Sequence, residues 1–287
     1  MGTSEGGARG WDQHAETYGR VVSPCTGYIA QNLFISVAGR LAPGARILDI
    51  ACGHGELAGA ALVHVLTESP GAEPEPRVCA IDASPEMVAH TTRNLSVLGS
   101  TDLVRCEVQD GQALSFPSSS FDAAFSAFGI FLFPDRQAGW REAARVLAPG
   151  GCFATAVWRG PEHNELARVQ MELLFGALPQ RVRDSMPQPG GADITTSEGL
   201  TAEVQDAGFV DAEVTAFDAV LTAPTPRAMW AMIRENPLAG AALVACTDDE
   251  LRAVERAVVA RFEELAGGTD RPVRLGASCH FLVARRG

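Results

Sequence analysis

Asp49, Gly53, Gly55 and Glu56 lie close together in RILDIACGHGELAG, residues 46–59. Gly53, Gly55 and Ala58 have the spacing G-x-G-x-x-A, which opens folds that hold a dinucleotide's pyrophosphate on backbone N–H groups at a helix N-terminus. Two carboxylates flank those glycines, and a carboxylate beside a pyrophosphate costs binding energy unless it is neutralised elsewhere. A zwitterionic or positive ligand suits the loop better, with Asp49 favouring an ammonium group while the glycines admit the backbone closely. Asp82, in VCAIDASPEM, can accept hydrogen bonds from both hydroxyls of a ribose, a role that an acid also fills in NAD enzymes. Asp110, in EVQDGQAL, can accept from an adenine amino group, although Asp-Gly is equally a common turn pair.

Of the six histidines, His14, His54 and His163 are candidate general bases. His54 stands between the glycines, and His163, in GPEHNE, follows the fifth predicted strand. Each also reads as a structural or solvated residue, and His54 reads first as a loop residue with an exposed ring. His64 and His90 fall on predicted helices and His280 in the last strand. No metal site is indicated: no His, Cys, Asp or Glu cluster has zinc spacing, and no acidic set compels magnesium.

These residues need a frame that gathers strand ends at one edge. Apolar runs at Ile47–Ile50, Val78–Ile81, Leu103–Val108, Phe121–Phe128 and Cys152–Trp158 alternate with helical patterns, the signature of a parallel sheet with crossover helices. The helices are expected from about Glu56 to Val65, from Ser84-Pro85-Glu86 to near Gly99, and from Arg136 to Leu147, where APGG stops the last of them. After Trp158 the alternation breaks. A helix from about Glu198 to Ala207 and a strand from Phe209 to Phe217 resume it, Pro226–Gly267 is mostly helical, and Val273–Ala284 is a last strand. The expected organisation is an N-terminal helical lid over residues 1–40, a cofactor-binding core over 41–158, a cap insertion over 159–198, and the end of the sheet over 199–287 with a second helical cap at 226–267.

Composition limits the partners. The 287 residues fit one large α/β domain or one with an appended cap, and 46% are hydrophobic. A net charge of −12 argues against tracking a phosphate backbone, so the expected partner is a small molecule and not a nucleic acid. Seven cysteines without a C-x-x-C pair suggest reduced thiols in the cytoplasm. MGTSEGGARG has no hydrophobic signal core, and the longest apolar run, Ala123–Phe133, is too short for a membrane span. The expected state is monomer or homodimer.

ILDIACGHGE, AIDASPEMV, VQDGQALSFPSSSFD and REAARVLAPGG together resemble the class I S-adenosylmethionine-dependent methyltransferases, in particular the ubiquinone and menaquinone biosynthesis type and its small-molecule relatives. The resemblance covers roughly Trp11–Trp158 and is looser afterwards. It implies an α/β fold, a doubly wound, mostly parallel Rossmann-like sheet of about seven strands with an antiparallel last strand and helical cap insertions. It implies S-adenosyl-L-methionine as cofactor, with Gly53 and Gly55 beside the methionine portion and Asp82 on the ribose. Met87 would lie near the adenine, Asp110 on its amino group, Gly111 beside the ring and Phe128 near the reacting methyl. Tyr18, Asp49, Ala51 and Ala83 complete the expected cofactor set. Ala51 departs from the glycine, and His54 from the threonine, that many relatives carry. The implied activity is methyl transfer to an oxygen, nitrogen, sulfur or carbon of a small acceptor; an NAD(P)-dependent oxidoreductase and a non-catalytic cofactor-binding protein are the alternatives. Trp11, His14, Ala15 and Tyr18 share one face of a helix that either packs on the sheet edge or closes over the cofactor.

Overall fold

The structure is a computed structural model of the chain, and it describes residues 11–12, 15–20, 22–68, 75–99, 101–185, 193–234 and 242–287. His14 lies outside the described residues.

Five parallel strands form the first part of the sheet: β1 (Ile47–Ile50), β2 (Val78–Asp82), β3 (Val104–Val108), β4 (Phe121–Ala127) and β5 (Leu147–Trp158). β6 (Phe209–Ala223) and β7 (Val273–Arg286) complete the order β3-β2-β1-β4-β5-β7-β6, with β7 antiparallel to both neighbours. All of β1 is buried, as expected of a central strand covered on both faces. Side chains alternate between those faces. Ile47, Val78, Ala123 and Ala154 pack under α1 (Ser23–Ala38) and α2 (Glu56–Glu68), while Leu48, Cys79, Ala124 and Phe153 pack under α4 (Arg136–Val146) and α7 (Ser197–Asp206). Between β2 and β3 lies α3 (Pro85–Ser96), whose start is fixed by Ser84: its side-chain oxygen accepts from the Met87 N–H at 3.1 Å.

Two boundaries differ from expectation. α4 yields directly to β5 at Leu147, so APGG belongs to the strand: Gly150 adopts φ 73°, and the β4–β5 register shifts between Phe121 and Ala123. β6 runs on past Phe217 to Ala223 because β7 accompanies it throughout. The stretch after Pro226 contains α8 (Pro226–Arg234) and α9 (Asp248–Ala266). α9 opens on a capping box between Thr247 and Glu250 and closes on left-handed Gly267.

These helices, with α5 (Glu165–Ala177) and α6 (Gln180–Ser185), bury a third cluster that includes Leu166, Val182, Trp230, Val258 and Phe262 against Leu221 and Leu275 of the β6–β7 ribbon. No helix among the described residues is long and apolar enough to cross a membrane.

Candidate functional site

The carboxyl ends of β1, β2 and β4 open into a cleft of ≈ 130 Å³. Tyr18, Ala51, Gly53, Asp82, Ala83, Met87, Asp110, Gly111 and Phe128 all line it. The structure therefore brings together nine of the eleven residues expected to hold the cofactor.

Asp82 ends β2 and is fixed by the backbone around it. Its Oδ2 accepts from the Gly53 N–H at 3.1 Å and its Oδ1 from the Ser84 N–H at 2.9 Å. Burial raises its pKa above the usual carboxylate value, and the backbone bonds from Ser84 and Gly53 pull it back. Asp110 forms an Asx turn in which Oδ1 accepts from both the backbone and the side-chain nitrogens of Gln112, each at 2.9 Å. Its Oδ2 has no partner among the described residues. The turn reading and the ligand reading of Asp110 are thus compatible, because one oxygen serves each. At Gly111 a Cβ would stand 2.6 Å from the Phe133 ring, so a side chain there would force that ring to shift. At Gly53, φ is 56° and a Cβ would meet nothing within 4 Å, which leaves open space above the loop.

Asp49 lies behind the cleft wall, in an adjoining recess lined also by Tyr18, Gly53, His54 and Glu56. It is 1% exposed, and its Oδ2 accepts at 3.1 Å from the N–H of Ala58, one of the donors left open in the first turn of α2. Burial pushes its pKa up to about 8, and burial raises that of Glu56 to about 7. Glu56 accepts a hydrogen bond from the Ser23 hydroxyl of α1. Gly55 does not reach the cleft: a Cβ there would stand 2.8 Å from Thr91 of α3, so this glycine allows the loop to pack on a helix.

The two candidate histidines among the described residues separate. The His54 ring is buried, 7% exposed, contrary to the expected exposed loop residue. Its Nε2 faces the Ala15 carbonyl oxygen at 2.8 Å and so carries the proton, and the ring stacks on His90 at 4.4 Å. Burial lowers its pKa. The cause of this burial is the N-terminal helix, whose Gly19 leaves room for the ring. His163 is exposed and lines neither the cleft nor the recess.

Residues 15–20 are helical, with Trp11 and Tyr18 meeting edge to face at 5.6 Å and both lining the cleft. Asp12 takes hydrogen bonds from the Ser84 hydroxyl and the Glu86 N–H at the start of α3. The Tyr18 hydroxyl lies 3.2 Å from Thr26 Oγ1, and burial pushes its pKa up to about 12. Among the cleft residues that escaped the sequence reading are the polar Gln109 and Gln112. The signal was their place on either side of Asp110-Gly111, just beyond a strand end.

Two backbone positions in the cleft wall carry strain. Ala51 sits at φ 59° and Phe128 also at φ 59°, where a side chain crowds its own backbone. Phe128 is held there by its N–H to the Ala156 carbonyl at 3.0 Å and by stacking on Trp158 at 4.1 Å.

Residues 47–151 match the family described as a methyltransferase domain. The matched residues run from β1 to the start of β5 and so hold the strands whose ends form the cleft. Among its relatives, it is 41% identical to the demethylmenaquinone methyltransferase of Thermus thermophilus over 134 residues, 47% of this chain and 56% of that protein. It is 31% identical to the 2-methyl-6-phytyl-1,4-hydroquinone methyltransferase of Synechocystis sp. over 188 residues, 64% of this chain and 52% of that protein. The chain spans about half the length of the curated relatives it matches. The solved structure of the YcgJ protein of Bacillus subtilis superposes with a TM-score of 0.56 over 90% of this chain and 98% of that one, and its 17% identity makes this a likeness of fold.

Proposed function

We propose that this protein transfers a methyl group from S-adenosyl-L-methionine to a small-molecule acceptor. One observation carries the reading. A carboxylate preset by two backbone N–H groups, Asp82, lies in one cleft with Met87 and Asp110, and an acidic recess at Asp49 and Glu56 adjoins it.

The residues fit the cofactor part by part. Asp82 would accept from the ribose hydroxyls, Asp110 Oδ2 from the adenine amino group, and Met87 with Gly111 would flank the ring. Gly53 and Ala51 would let the backbone approach the methionine portion, with Tyr18, Ala83 and Phe128 as further walls. Asp49 and Glu56 favour a cation in the recess, because burial without one drives both carboxyls toward their neutral forms. The same recess disfavours the pyrophosphate of NAD(P), the ligand of the alternative oxidoreductase. When bound, S-adenosylmethionine supplies a methyl group on positive sulfur, already activated for displacement. The chain's contribution is then alignment and exclusion of water. His54 is poorly placed as a base, since its protonated Nε2 is committed to Ala15.

Within the N-terminal region 1–40, the part around Asp12 and Ala15–Tyr18 serves as a lid, tied down through Ala15 and Asp12, while α1 covers the sheet; residues 159–198 and 226–267 serve as caps. The acceptor is a small molecule and not a nucleic acid, and the protein works in the cytoplasm as a monomer or homodimer. Calorimetric titration with S-adenosylmethionine, S-adenosylhomocysteine and NAD tests the cofactor. Release of S-adenosylhomocysteine in an acceptor screen separates an enzyme from a non-catalytic binder. Preference for NAD, or cofactor binding without product from any acceptor class, overturns the proposal.

A further inference from the structure

We infer that a second cavity, beside the cleft and beneath the caps, receives the methyl acceptor and selects an uncharged, largely apolar molecule with one hydrogen-bonding group. The inference rests on the methyl-transfer reading above. The cavity has a volume of ≈ 140 Å³. Cys25 and Thr26 of α1, Trp158 at the end of β5, Leu166 and Gln170 of α5, and Met232 of α8 contribute to its walls.

Its position ties it to the cleft. The Trp158 ring, which lines the cavity, is stacked on Phe128, which lines the cleft, at 4.1 Å and 23°. Thr26, also in the cavity wall, lies 3.2 Å from the hydroxyl of Tyr18 in the cleft wall, and it borders the acidic recess as well. A molecule seated in the cavity therefore has the reaction site immediately beyond one ring pair and one hydroxyl pair.

Its chemistry differs from that of the cleft. None of the described residues lining the cavity carries a charged side chain, and burial holds the Cys25 thiol neutral by pushing its pKa up to about 11. An amine cation, a phosphate or a carboxylate would lose its hydration there without a countercharge, which is strongly unfavourable. Most polar groups in the wall are already engaged. Asn164 donates to the Ser278 carbonyl at 2.9 Å and accepts from the Ala167 N–H at 3.1 Å, while Thr26 is shared between Tyr18 and the Val22 carbonyl. The half-buried Gln170 amide has no partner among the described residues and offers one donor–acceptor pair to a ligand. The surface thus suits a flat or aliphatic apolar body bearing a hydroxyl or carbonyl.

The test titrates 2-naphthol, 2-naphthyl phosphate, 2-(aminomethyl)naphthalene and naphthalene into the full chain, with and without saturating S-adenosylhomocysteine. The expected result is 2-naphthol binding at least about tenfold more tightly than either charged analogue. Ala167→Trp, which fills the cavity, should reduce 2-naphthol affinity at least about tenfold while S-adenosylhomocysteine affinity stays within about twofold, a readout that also certifies folding. Gln170→Leu should weaken 2-naphthol but not naphthalene. Equal or better binding of a charged analogue, no effect of Ala167→Trp in a protein that still binds S-adenosylhomocysteine, or no 2-naphthol binding at all overturns the inference. A wild-type chain that fails to bind S-adenosylhomocysteine overturns the methyl-transfer reading instead, and the titrations without cofactor still decide the cavity's preference.

Discussion

Replacing Asp49 with asparagine should stabilise the cofactor-free protein, and by an amount that grows with pH. The folded-state pKa of Asp49 stands at about 8 against an ordinary 3.8, with burial as the main cause. A group raised on folding favours the native state fully below its unfolded value, and that favour is lost as pH rises through the folded value. The loss therefore begins near pH 4 and is complete a little above pH 8. Within that window each pH unit costs about 1.4 kcal/mol, so Asp49 alone should remove about 4 kcal/mol of stability between about pH 5 and pH 8. Asparagine retains an oxygen for the Ala58 N–H, so the strand-to-helix bond survives. Urea unfolding of both proteins at unit pH steps gives the difference directly. Glu56, present in both, cancels to first order. A wild-type-to-variant difference that stays flat from pH 5 to 8 would falsify the account of a buried, unpaired carboxyl waiting for a cation.

Three further outcomes follow from the same geometry. Asp82→Ala should weaken S-adenosylmethionine binding by about 2 kcal/mol or more in titration calorimetry, because charge-assisted hydrogen bonds are lost; unchanged affinity in a folded variant removes Asp82 from the ribose. Ala51→Gly should raise unfolding free energy by roughly 0.5–1 kcal/mol by relieving the left-handed backbone, whereas Gly129→Ala, whose Cβ would stand 2.5 Å from that of Ala51, should lower it by about 2 kcal/mol or more; thermal or urea unfolding checks both. Deleting residues 1–20 should leave a folded chain with weaker cofactor binding and far slower methyl transfer, and Tyr18→Phe should lose less if the ring packs and about as much if its hydroxyl holds a ligand. Full turnover after truncation would reject the lid.

What the sequence revealed and what it hid divide along range of interaction. The strand ends carrying Asp82, Asp110 and Phe128 follow from local periodicity and capping, since β1, β2 and β4 are each followed by a helix, with starts written in residues such as Ser84-Pro85. The burial of His54 could not be read that way. It depends on Ala15 and Gly19 arriving from a segment far along the chain, and nothing next to His54 announces them. Gly55 misled for the opposite reason: its spacing fits a ligand loop, yet here it makes room for Thr91. The length of β6 was hidden because its outer half is justified only by pairing with β7, some fifty residues later.

The β6–β7 ribbon divides the molecule into two inheritable parts. β5 stops pairing with β7 at Trp158–Cys279, while β6 and β7 continue together to Ala223–Val273. Beyond the point where β5 ends, the ribbon is packed chiefly by α5, α8 and α9, and Leu221, Ala223, Val273, Leu275 and Ala277 belong to the third hydrophobic cluster instead of the two that sandwich the sheet. Substitutions in that outer cluster should therefore act nearly additively with substitutions around the glycine loop. Selection can recut these outer helices in small steps while the half of the sheet around the glycine loop stays intact. In amide hydrogen exchange, the outer ribbon with α8 and α9 should open as its own cooperative unit, below the free energy at which the central strands open.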